Sequence, residues 1–100
     1  MIKHIVMWKL KNFAAGAHKE QNALKVKTRL AALKQKIKQI RSLEVGINTI
    51  DSQDAYDVVL YSEFDSFQDL KAYLDHHAHA KVGEFVSKVR LERKVVDYEV

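Results

Sequence analysis

The chain has 100 residues, 47% of them hydrophobic, which suits one domain built around one core and leaves no room for a second. It has no cysteine, which excludes a disulfide framework, thiolate metal ligands and a cysteine nucleophile, and accords with a reducing cytoplasmic setting. The net charge of +4 conceals an asymmetry: residues 1–41 hold eleven Lys and Arg against the single acid Glu20, whereas residues 42–100 hold six bases against twelve acids. Such halves point to a polyanionic partner or to complementarity within the fold or between subunits, and we adopt complementarity.

The apolar run from Ile2 to Leu10 is interrupted by Lys3, His4 and Lys9, lacks a small-residue cleavage site and is too short to span a bilayer. It reads as a strand, with Ile2, His4, Val6, Trp8 and Leu10 on a buried face. Ile5 and Met7 give the other face an apolar centre, so both sides of this sheet need a cover. After a loop containing Gly16, residues from about Lys19 to Ile40 place Ala23, Val26, Leu30, Leu33, Ile37 and Ile40 at spacings of three and four, an amphipathic helix whose lysines lie largely off the stripe.

Leu43 to Ile50 and Tyr56 to Phe64 read as strands of a hairpin joined by the turn-like Asp51, Ser52, Gln53, Asp54. In the second strand Val59 and Tyr61 again put apolar bulk on the outer face. Ser66 with Asp69 is a capping-box signal, and Phe67, Leu70 and Leu74 continue at helical spacing. The pattern falters through Asp75, His76, His77, Ala78 and His79, then resumes with Val82, Phe85, Val86 and Val89, two helical pieces with an irregular joint. Arg90 to Val100 closes as a strand. The order βαββαβ predicts an α+β, ferredoxin-like fold: a four-stranded antiparallel sheet with its helices on one face. Two sheets packed face to face in a homodimer would bury Ile5, Met7, Val59 and Tyr61 of both subunits.

The opening Ile2, Lys3, His4, Ile5, Val6, the segment Tyr61 to Ser66, the run Ala72, Tyr73, Leu74, Asp75, His76, His77, Ala78, His79 and the closing Val95 to Glu99 together resemble the stress-responsive dimeric α/β-barrel (Dabb) family along the whole chain. His77 stands where that family usually has proline, so the joint between helical pieces is less sharply enforced. The resemblance implies a single domain over 1–100, a protomer that pairs into a barrel and a link to stress response. It extends distantly to olivetolic acid cyclase, a plant polyketide cyclase. His4 matches that enzyme's strand histidine, Tyr73 its helix tyrosine and His76 its catalytic histidine, while a third-strand histidine of the cyclase falls at Val58.

Tyr73 and His76 are three apart, as neighbours on a helix face are, and His4 lies on the strand face that looks toward the helices. Converged, they form an acid/base set for chemistry beside a carbonyl: His76 as base, Tyr73 as hydrogen-bond donor to the developing oxyanion and His4 orienting or recharging His76. In the alternative, His4 and His76 satisfy polar groups at the helix joint. Trp8, Val58 and His79 are the further candidates for a substrate-binding wall; on an apolar strand face Trp8 also fits the core, and it is the tryptophan available to a site like that of the antibiotic-synthesis monooxygenases.

His76, His77 and His79 bring three imidazoles close in sequence, but consecutive residues point apart on a helix and no HExxH pattern is present, so no metal is expected. RNA-recognition motifs share the βαββαβ order, yet the third strand here has no glycine and carries Asp57 and Glu63, which argues against nucleic acid. The expectation is a cytoplasmic homodimer with one small hydrophobic pocket per protomer and no cofactor. It acts either as a stress-linked binding protein or as a cofactor-free cyclase-like or monooxygenase-like catalyst on a carbonyl-rich small molecule.

Overall fold

The computed structural model describes residues 1–100. Strand β1 (Ile2–Leu10) leads through a tight hairpin, β2 (Phe13–Ala14) and β3 (Ala17–His18), into helix α1 (Lys19–Lys36). There follow β4 (Ser42–Ile47), β5 (Val58–Phe64), helices α2 (Phe67–Asp75) and α3 (His77–Val89), and β6 (Arg90–Glu99). The four long strands form one antiparallel sheet in the order β4-β5-β1-β6, the ferredoxin-like α+β arrangement expected.

The period-2 pattern of β1 is realised residue by residue, with Ile2, His4, Val6, Trp8 and Leu10 buried and their neighbours half-buried or exposed. These side chains join the α1 stripe of Ala23, Val26, Leu30 and Leu33 and the β5 residues Val58, Leu60 and Phe64 in one core that Tyr73, Val86 and Val89 complete. Each such large apolar side chain contributes about 1.5–3 kcal/mol on burial.

Three boundaries differ from expectation. Helix α1 stops at Lys36, where Ile37 turns extended, although Ile37 and Ile40 remain buried. No glycine or proline marks that stop; the stripe continues because the turn after the helix still faces the core. The β4–β5 connection runs over 48–57 and so removes Asn48, Thr49 and Ile50 from the first strand and Tyr56 and Asp57 from the second. Asp57 holds its end, accepting from the Leu10 N–H at 2.7 Å and donating its own N–H to the Trp8 carbonyl at 2.8 Å. The loop around Gly16 is a hairpin in which Ala15 and Gly16 both have positive φ, as a two-residue primed turn requires. The buried Asn22 fastens it to α1 by donating to the carbonyls of Ala14 and Ala17.

Charge complementarity is realised inside the fold. Of five pairs between Lys or Arg and a carboxylate, four join residues 1–41 to residues 42–100: Lys3–Glu63, Lys9–Glu92, Lys19–Asp57 and Arg41–Asp65. The face of the sheet away from the helices stays uncovered in the single chain. On it Ile5 lies between Tyr61 and Val96, and Met7 between Val59 and Lys94, with Tyr98 next along. Val96 is 51% exposed, a large value for an apolar residue in mid-strand.

Candidate functional site

Between the helix-side face of the sheet and α3 lies a cavity of about 190 Å3. Its floor is three successive inward positions of β1, His4, Val6 and Trp8, with Leu60 of β5 beside them. Leu30 of α1, Tyr73 of α2 and His79, Val82, Gly83, Val86 and Ser87 of α3 form the walls, and Arg90 and Arg93 complete the lining. This is smaller than most small-molecule sites, which hold about 300–1,000 Å3.

The polar groups cluster at the His4 end. His4 is buried, and its Nδ1 pairs with the carboxylate of Asp97, the residue opposite it on β6. Asp97 favours a proton on Nδ1, the ring nitrogen that faces it. Ser62, also buried, donates its hydroxyl to the His4 carbonyl at 2.9 Å and secures the strand beneath. The Tyr73 ring lies 6.0 Å from that of His4 and 4.6 Å from that of His79. Its hydroxyl is fully buried and has no hydrogen-bond partner, which is costly for a polar atom.

Burial sets the protonation of this end. It pushes the Tyr73 phenol well above its ordinary range, against a smaller opposing pull from the Arg93 charge, so the hydroxyl is a donor at any physiological pH. It also lowers His79, helped by His4 and Arg93 and opposed by the Leu74 carbonyl. Tyr73 and His79 are therefore neutral hydrogen-bonding groups near pH 7.

The structure divides the sequence candidates. His4, Trp8, Tyr73 and His79 line the cavity; His76 and Val58 do not. The helix breaks at His76, whose backbone is extended, so Tyr73 and His76 are not neighbours on one continuous helix face. His76 Nδ1 instead accepts from the Ala78 N–H at 3.0 Å, capping α3, and its ring stacks on His77 at 4.5 Å. His79, in the first turn of α3, comes to Tyr73. Val58 packs in the core directly opposite Trp8. Sequence reasoning missed Ser87, Arg90 and Arg93. Arg93 has no local signal: it reaches the cavity because β6 pairs with β1 in the register that sets it opposite Trp8, beyond an irregularity between Lys9 and Leu10.

The model of the Stress responsive A/B Barrel Domain matches residues 2–100. The chain belongs to the Dabb family. Among solved structures, this Dabb chain is similar to a dimeric ferredoxin-like protein of unknown function from Bacteroides fragilis, with 34% identity over 99% of this chain and 95% of that one and a TM-score of 0.83. A dimeric ferredoxin-like protein of unknown function from Thermobifida fusca is 19% identical over 99% and 90% of the two chains, with a TM-score of 0.85. A hydroxynitrile lyase from Passiflora edulis shares the fold at 16% identity over 97% and 90%, with a TM-score of 0.78. The chain matches no curated protein. No helix of this Dabb protein is long and apolar enough to cross a membrane.

Proposed function

We propose that this Dabb protein is a cytoplasmic homodimer that binds a small, mainly apolar molecule in the cavity of each protomer. The observation that carries this reading is Tyr73, a wall residue of the cavity whose hydroxyl is shut off behind that wall without a partner. An unsatisfied buried hydroxyl costs about 1–3 kcal/mol, which a ligand oxygen accepting from Tyr73 would offset once a small shift of the ring opens the hydroxyl to the cavity. Pairing is supported by the uncovered apolar sheet face and by the Bacteroides fragilis and Thermobifida fusca relatives, which are described as dimeric.

Binding is preferred over cyclase-like catalysis because of His76. The acid/base alternative keeps Tyr73 and His4 at the cavity, but the imidazole expected as base is engaged in capping α3. A binding role needs no base.

A fragment screen by NMR tests the reading. Small oxygen-bearing fragments should shift the resonances of Trp8, Val82 and Val86, and Val82→Trp, which fills the half-buried wall, should abolish those shifts while the spectrum stays folded. Tyr73→Phe should weaken the best fragment about tenfold, the value of one hydrogen bond. Failure of every fragment to perturb cavity residues at millimolar concentration sinks the proposal.

A further inference from the structure

We propose that the molecule this cavity takes is a small carboxylate: an anionic head held by Arg90 and Arg93, a short apolar body, and a second oxygen at the far end that accepts from Tyr73. The inference rests on the ligand-binding reading above and adds the chemical class of the ligand.

The cavity is polar at its two ends and apolar between. His4 and Trp8 are four residues apart on β1, which at about 3.3 Å per residue separates the ends of the floor by about 13 Å. At the first end stand His4, Tyr73 and His79. At the second, Arg93 springs from a position opposite Trp8 and Arg90 from one opposite Leu10, the Arg93 charge reaching back far enough to act on Tyr73 and His79. Val6, Leu60, Val82 and Val86 line the middle. The volume of about 190 Å3 admits a body of only a few carbons.

Neither arginine makes an ion pair, although β6 carries three acids: Glu92 and Asp97 are committed elsewhere and Glu99 lies at the far end of the strand, opposite Ile2. Asp97 holds His4, and Glu92 faces the other side of the sheet, where it pairs with Lys9 at 3.7 Å and accepts from the Tyr56 hydroxyl at 3.3 Å. Two guanidinium groups thus border an apolar cavity without internal neutralisation. A guanidinium presents a planar fork of donors that matches a carboxylate. At the inner end the Asp97 carboxylate already holds His4, and the neutral Tyr73 hydroxyl is one potential donor, so that end suits a ketone or hydroxyl oxygen better than a second anion.

Three probes separate the parts when titrated into the full chain by calorimetry: 5-oxohexanoate, its amide 5-oxohexanamide, and hexanoate. 5-Oxohexanoate should bind at least tenfold more tightly than the amide, and Arg93→Gln should erase that preference. It should also exceed hexanoate in the wild type but not in Tyr73→Phe. Arg93 is exposed, so its replacement leaves the core intact; Arg90→Gln, at the end of α3, is a second variant expected to act in the same direction. Equal affinity for acid and amide, or a preference that survives Arg93→Gln, overturns the carboxylate inference and leaves the ligand-binding reading standing. Silence from all three probes while screened fragments occupy the cavity overturns it equally. If neither probes nor fragments reach the cavity, both proposals fall.

Discussion

At the scale of single residues, the inner end of the cavity is a place where burial dictates protonation. His79 loses solvent between Tyr73 and the sheet and faces the charges of His4 and Arg93, so its folded pKa lies below the ordinary 6.5. The Leu74 carbonyl opposes the shift without cancelling it. As pH falls through 6.5 the unfolded chain binds the proton first, so the His79 contribution to stability is present above that value and lost as pH drops toward the folded pKa. Denaturant midpoints measured from pH 8 to pH 5.5 should therefore decline more steeply for the wild type than for His79→Gln. Parallel profiles would show that His79 is not the source of the slope.

At the scale of elements, the joint between α2 and α3 illustrates what an imidazole does when a helix stops. Without proline at position 77, nothing in the covalent chain forbids one continuous helix; instead His76 adopts an extended backbone and supplies the acceptor for an N-terminal amide of α3. His76→Ala should cost about 1 kcal/mol in urea unfolding. His76→Asn, which retains a capping acceptor, should recover most of it, and fragment affinity at the cavity should be unchanged in both. Affinity lost in both variants with stability intact would instead return His76 to the site. A similar local logic governs α2, where Ser66 accepts from the Asp69 amide at 3.2 Å as the capping signal implied. It fails for α1, which ends without any punctuating residue.

At the scale of the whole molecule, the sheet has one face packed by helices and one apolar face with nothing on it. Ile5, Met7, Val59, Tyr61, Val96 and Tyr98 form a continuous patch of the kind that marks an association surface. A twofold pairing of this patch would cover it in both copies, and the Lys3–Glu63 pair at its rim would help set the register. Sedimentation at micromolar concentration should give twice the mass of the chain, and Val96→Lys, placing a charge in the centre of the patch, should weaken pairing at least a hundredfold. A wild-type protein that sediments as a stable single subunit would remove the homodimer.

The alternation in β1, the α1 stripe, the Ser66 cap and the second apolar face were legible in the sequence because each depends on spacings of two to four residues. They sufficed for the α+β class, the strand order of a ferredoxin-like fold and the candidacy of His4 and Tyr73. The exchange of His76 for His79 beside Tyr73, and the arrival of Arg90 and Arg93 at the cavity, were decided only by tertiary structure. One turned on whether a helix breaks at a given residue, the other on the register of strands whose paired residues are 80 to 97 apart in the chain. Local periodicity reports which side of an element a residue occupies, but what faces it from another element is set by packing and pairing of the whole chain, and that relation has no local spacing to read.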